Sequence, residues 1–278
     1  MSREYGNHIV LNHQKSTSES HIEEYNKKLK ETPQQITAAA APPIYTLSTK
    51  YKLNILDQGS LGSCVATSYA SIIQSTKNIL PSRLYLYFNA LAGTRNNPAI
   101  DSGVDLLQAM PILTSFGIPD EYLWPYDKTK FGTIPPLEVY KAAKQLIVTW
   151  TPIQQTDTDI KSALLNGKFI MLGITIYSSF MKTAVSNTGI IPLPDKTLET
   201  KEGGHGIQII GWTTYKSTPY YIFRNSWGKY WGNDGNPLNP SPINNGTNGG
   251  VGTNGGFGFI PVAYVLDPNL AYDLIAVV

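Results

Sequence analysis

Apolar residues recur along this chain with two periods, and one gives way to the other near its midpoint. After Cys64, the residues Ala66, Tyr69, Ala70 and Ile73 fall at i, i+3, i+4 and i+7, one buried face of a helix. Asp105 to Ser115 (DLLQAMPILTS) predicts a second helix, which Pro111 bends or ends. Pro135 to Val148 predicts a third, with Pro136 near its first turn and Val139, Ala142, Ala143 and Leu146 on one side. Beyond about residue 150 the pattern changes to short β-branched and aromatic runs bounded by Gly, Pro or Asn. Phe169 to Tyr177, Gly206 to Trp212, Tyr220 to Asn225 and Phe257 to Val262 read as strands. Helices followed by strands predict an α+β fold with a cleft between the two parts.

The ends of this pattern are polar. Residues 1 to about 45 hold one predicted helix, opened by a capping box at Ser20-His-Ile-Glu23, with Ile22, Tyr25 and Leu29 on one face. Ala38 to Pro43 (AAAAPP) reads as a linker. This front segment is open to three roles, a pro-region, a docking arm or disorder. Residues 236 to 256 are almost wholly Asn, Gly, Pro, Ser and Thr and read as a long surface loop. The expected organisation is an N-terminal extension at 1–45 and a body at 46–278, helical over about 46–150 and β-rich over about 151–278.

Composition then removes several classes of function. A chain of 278 residues can bury a sizeable core. Its net charge of +2 falls short of the basic stripe of a nucleic-acid binder. The longest apolar run, Phe169 to Ile176, is too short to span a bilayer, and the first residues lack the apolar core of a secretory signal. The single cysteine cannot form an internal disulfide, which favours a reducing, intracellular and cytoplasmic setting.

That cysteine lies in DQGSLGSCVATSYASI, where a glycine-rich turn meets the first predicted helix. A thiol there faces unpaired N–H groups and the positive end of the helix dipole, both of which favour thiolate. A nucleophile also needs a base. Of four histidines, three lie in the front segment, so His205, in EGGHGIQIIGW and 141 residues after Cys64, is the one in the body. Asn225, in FRNSWGKYWGNDG, ends a predicted strand that can pair beside that of His205. Its amide oxygen can fix the imidazole without burying a carboxylate, with Trp227 and Trp231 excluding water. One Cys and one His in the body are too few for a structural zinc site, and no metal or other cofactor is expected.

QGSLGSC, GGHG and NSWGKYWGNDG, in that order, resemble the three blocks of the papain and cathepsin family of cysteine peptidases. The likeness covers roughly residues 46 to 265, apart from the Gly/Asn loop. It implies a papain-like fold, with a helical left subdomain, a β-rich right subdomain and the active-site cleft between them. It implies Cys64 as nucleophile, His205 as general acid/base, Asn225 as the residue orienting His205, and Gln58 with the Cys64 N–H as the oxyanion hole. Gly103, in Asp101-Ser102-Gly103-Val104, resembles the glycine-rich stretch that pairs with substrate backbone. Gly206 stands where the family often has Ala beside a substrate subsite, and Trp227 joins these as a substrate-binding candidate. The implied reaction is thiol-dependent hydrolysis of a polypeptide substrate, with autoinhibition by the N-terminal segment as a further expectation.

The departures are specific. Leu61 replaces a family cysteine, Val65 replaces an aromatic residue after the nucleophile, and the 20 residues from His205 to Asn225 exceed the family spacing, with the surplus expected around Thr213 to Pro219. Two alternatives stay open at this level, an inactive papain-like binding or structural protein and an acyl transferase on the same scaffold.

Overall fold

The computed structural model describes residues 15–31, 41–236 and 255–278. The loop expected at 236–256 lies outside them from 237 to 254, as do residues 38–40 of the linker. The front segment forms helix α1 (Glu19–Glu31). Its first bond runs from the Ile22 N–H to the Ser18 carbonyl, so Ser18 holds the cap position and Ser20 lies inside the first turn, a shift of two residues from the expected capping box.

The body opens on a two-residue strand, β1 (Tyr45–Thr46). Four helices follow, α2 (Cys64–Lys77), α3 (Arg83–Gly93), α4 (Leu106–Ser115) and α5 (Leu137–Ala142). The remainder runs β2 (Trp150–Pro152), α6 (Asp157–Leu165), β3 (Phe169–Tyr177), α7 (Thr183–Thr188), β4 (Lys201–Tyr215), β5 (Thr218–Arg224), β6 (Phe257–Pro261), α8 (Val262–Leu266) and β7 (Ala271–Val277). The strands lie in the order β2-β7-β3-β4-β5-β6, antiparallel at every pairing, and β1 adds to β4. Buried side chains from Leu47 to Val277 form one contiguous cluster that joins the helices to the sheet.

Several elements differ from expectation for identifiable reasons. Helix α3 is absent from the periodic reading because Leu84, Tyr85, Leu86, Tyr87, Ala90 and Leu91 bury it on all sides and leave no polar face to register against. Ser82 caps it by accepting the Tyr85 N–H at 3.2 Å. Helix α4 continues through Pro111, with Asp105 accepting the Gln108 N–H at 3.0 Å; the proline forfeits only the bond its own N–H would have made. The third expected helix stops at Ala142, because Lys144 exchanges two backbone bonds with Ile118 (2.9 and 3.1 Å). Strand β6 ends at Pro261, and Val262 starts α8 instead.

Strands β4 and β5 form a hairpin closed by Lys216 and Ser217, both with positive φ (48° and 63°). This is the left-handed pair that a two-residue hairpin turn requires. The 20 residues from His205 to Asn225 thus run up β4, through this turn and back down β5. On the other side of β4, Gly211 lets β1 lie directly on the strand, since a Cβ there would come within 2.2 Å of the Tyr45 carbonyl oxygen.

Candidate active site

Helix α2 starts at Cys64, and strand β4 crosses its first turn. The Gly206 N–H donates to Cys64 Sγ at 3.4 Å. A Cβ on residue 206 would sit 3.3 Å from Val65 Cγ2 and 3.6 Å from the sulfur, so the missing side chain is what admits the strand so close. The residue before Gly206 is His205, and its Nε2 lies 2.8 Å from Asn225 Oδ1 at the end of β5. An amide oxygen only accepts, so Nε2 carries the proton of that bond. The Asn225 oxygen also accepts the Ser226 N–H at 2.8 Å. Trp227 lies over the imidazole with ring centroids 4.7 Å apart, and meets Trp231 and Phe180 edge-on. His205 and Asn225 are buried beneath these rings.

Gln58 is held on every side. Its N–H donates to the Ser226 carbonyl (2.8 Å), its Oε1 accepts from Ser226 Oγ (2.5 Å), and its Nε2 donates to the Leu61 carbonyl (2.8 Å). The Tyr126 hydroxyl donates to its carbonyl at 2.9 Å. Next to it, the Asp57 carbonyl accepts from Arg83 Nη1 (2.8 Å), while Arg83 makes a two-pronged ion pair with Glu121 (2.7 and 2.6 Å). Ser226 thus joins the Gln58 turn to the Asn225 turn. The sequence reading gave it no role, although it lies beside Asn225 in the quoted motif.

The thiol does not behave as its place at a helix start implied. Burial pushes it up to about 11, against the opposing pull of the Gly206, Val65 and Cys64 N–H groups, and Asp101 pushes in the same direction as burial. With Cys64 only 1% exposed, loss of water outweighs the helix terminus.

Asp101 is the second residue that the motifs did not single out. Its carboxylate accepts the Gly62 N–H (2.9 and 3.0 Å) and the Tyr87 hydroxyl (2.5 Å), which fixes the turn leading into Cys64. The same hydroxyl oxygen accepts the Gly103 N–H at 3.1 Å. Gly103 is buried with φ 68°, and its N–H is committed inside the protein.

Gly206 pairs with Gly173 of β3, and Gly173 pairs with Tyr272 of β7, so a row without side chains crosses the sheet from the sulfur towards Tyr272. Neighbouring strands are about 4.8 Å apart, which places that tyrosine two strand spacings from Gly206. The front segment reaches this strand. Ser16 N–H donates to Asp273 Oδ2 at 3.0 Å, and the Tyr25 hydroxyl donates to the Leu274 carbonyl at 3.1 Å. Burial pushes the Asp273 carboxyl up to about 6, with Ser16 and Lys15 opposing the shift and Asp105 adding to it.

Among the described residues, no group of three or more His, Cys, Asp or Glu side chains converges as a metal site, and no helix is long and apolar enough to cross a membrane.

The model of the papain family of cysteine proteases matches residues 46–238. An uncharacterized peptidase C1-like protein of Acanthamoeba polyphaga mimivirus is 34% identical over 237 residues, which is 80% of this chain and 68% of that protein. Among solved structures, xylellain, a cysteine protease from Xylella fastidiosa, superposes with a TM-score of 0.71 at 24% identity, covering 100% of this chain and 97% of that one. Digestive procathepsin L 3 of Tenebrio molitor larval midgut gives 0.58 at 15% identity, over 87% and 72% of the respective chains. These two structures share the papain-like α+β fold. On the match across residues 46–238 and the mimivirus relative, the chain belongs to the papain family of cysteine proteases.

Proposed function

We propose that this protein hydrolyses peptide bonds through a thioacyl intermediate on Cys64. The observation that carries the reading is that two consecutive residues of β4 engage both partners: Gly206 donates to the Cys64 sulfur, and His205 is fixed by Asn225. With Nε2 bonded to Asn225, Nδ1 is the nitrogen that takes the thiol proton. The thiolate attacks the scissile carbonyl carbon. The oxygen that becomes negative is received by the Cys64 N–H and by the Gln58 Nε2 hydrogen not given to Leu61. As the C–N bond breaks, the His205 proton passes to the leaving amine. A water that gives its proton back to His205 then attacks the thioester, and Cys64 leaves as thiolate.

Residues 1–45 act as a regulatory extension and 46–278 as the catalytic body in this proposal. Support comes from the docking of Ser16 and Tyr25 on β7, beside the row that leads to the sulfur, and from the burial of that sulfur. Leu61 in place of a second cysteine suits a reducing, intracellular compartment.

Labelling with an epoxysuccinyl peptide tests the reaction. One molecule should attach per chain, and Cys64→Ala should abolish both attachment and peptide cleavage. A protein that binds peptides without labelling or turnover would be an inactive scaffold; release of products joined to an added amine would make it a transferase. Ser16→Pro, which removes the donor to Asp273, combined with Tyr25→Phe should raise the labelling rate of the full chain. An unchanged rate would remove the regulatory role.

A further inference from the structure

The face that α2 turns to the sheet carries polar groups where a core helix ordinarily carries aliphatic ones. Ser68, Ser71 and Ser75 recur at i, i+3 and i+7 from the helix that begins with Cys64. Ser68 Oγ donates to the Gly206 carbonyl at 3.3 Å. Facing them is Gln208 of β4, whose Nε2 donates to the Ser68 carbonyl (2.5 Å) and to Ser71 Oγ (2.6 Å). Its Oε1 accepts from Arg224 Nε (3.1 Å) and Nη2 (2.7 Å), across the Gln208–Arg224 strand pair. Arg224 Nη1 donates to Ser75 Oγ (2.9 Å) and to the Asn54 carbonyl (3.3 Å), and the guanidinium lies 5.3 Å from the Phe169 ring centre.

Arg224 is only 2% exposed, and among the described residues no carboxylate pairs with it. Burial lowers its pKa to about 9, which leaves it charged at neutral pH. A buried cation held by neutral acceptors alone is an expensive way to fill a core, since apolar side chains of similar volume often serve stability as well or better. Its position supplies a reason. Gln208 lies three residues after His205, Arg224 immediately precedes Asn225, and the serines lie on the helix that starts at Cys64. One polar network therefore bolts together the three elements that carry the proposed catalytic groups.

We infer that Arg224 and Gln208 are positioning residues, which hold the serine face of α2 in a single register on β4 and so set the separation at which Cys64 and His205 exchange a proton. The inference rests on the catalytic reading above. Directional hydrogen bonds specify an axial register, whereas an apolar helix–sheet contact can slide by fractions of an ångström with little loss.

The pH dependence of Cys64 alkylation by iodoacetamide in the full chain tests this, and the single thiol makes the readout unambiguous. Wild type should show a thiolate population well below pH 8, and a plain thiol titration there would overturn the catalytic reading itself. Given that population, Arg224→Met and Gln208→Leu should each move the acidic limb upward by about one unit, a roughly tenfold loss of reactivity on that limb. They should lower kcat with little change in KM, and the double variant should be no worse than either single one. Arg224→Lys should recover part of the shift. Ser75→Ala, which removes only one acceptor at the edge of the network, should give a smaller shift in the same direction and carries the test if the larger substitutions fail to fold. Profiles that coincide with wild type while the melting temperature falls would reduce the network to a structural role and overturn the inference.

Discussion

Burial that pushes the Cys64 thiol up to about 11 disfavours its thiolate at neutral pH, so in the proposed reaction Cys64 becomes a useful nucleophile by passing its proton to a neighbour. The same burial that suppresses the lone thiolate strengthens its attraction to an imidazolium, because both charges sit away from water. In the proposed reaction the oxyanion donors would act in that dry setting too. Gln58→Ala should lower kcat about 10²–10³-fold with KM nearly unchanged, as read from steady-state peptide cleavage. Asp273 offers a test away from the chemistry. Its pKa is raised from 3.8 to about 6 in the folded protein, so the folded state binds the proton more tightly than the unfolded chain. Stability is therefore lost as pH rises through that window, and the cost is complete above pH 6. Asn keeps an acceptor for the Ser16 N–H and tolerates the left-handed backbone at this position (φ 58°). Asp273→Asn should stabilise the protein at pH 7.5 by on the order of 2 kcal/mol and by nothing at pH 3.5, measured by denaturant unfolding at the two pH values.

The β4–β5 hairpin separates what the chain needs for chemistry from what it tolerates as length. His205 and Asn225 belong to its base, whereas Lys216 and Ser217 close its far end in left-handed conformations that cost non-glycine residues on the order of 1 kcal/mol each. Replacing the pair with Asn-Gly should raise the melting temperature by about 2–4 °C and leave peptide cleavage unchanged, by calorimetry and by assay. At this scale the sequence was legible where one element carries its own signal. Cys64 at the start of α2, His205 on β4 and Asn225 at the end of β5 could be placed from short motifs and their order. The Ser68–Gln208–Arg224 network could not, because its members come from three elements and look like ordinary polar residues until the sheet brings them together. Asp101 and Ser226 escaped for the same reason, and α3 because a helix buried on all sides has no period to read.

For the whole molecule, the contiguous cluster from Leu47 to Val277 has an energetic meaning. Helices and sheet share one core, and Arg224 and Ser226 tie the two parts together with directional bonds. Thermal unfolding should accordingly follow a single transition with equal calorimetric and van't Hoff enthalpies. Two resolved transitions would show that the helical and β-rich parts hold separately. The α+β class followed from the switch of hydrophobic period near residue 150, but the order β2-β7-β3-β4-β5-β6 did not, since β2 has only three residues and β7 pairs with β2 and β3 from far along the chain.

The docking of the front segment on β7 also has a consequence in terms of local concentration. The helix ends at Glu31 and the described chain resumes at residue 41, so whatever Ser16 and Tyr25 contact is met by a ligand that never diffuses away. A covalent connection of such length maintains an effective concentration in the millimolar range. Contacts too weak to hold a free peptide are then enough to keep that strand occupied, and a single cut between residues 31 and 41 would turn the occupant into an ordinary solute, lost on dilution.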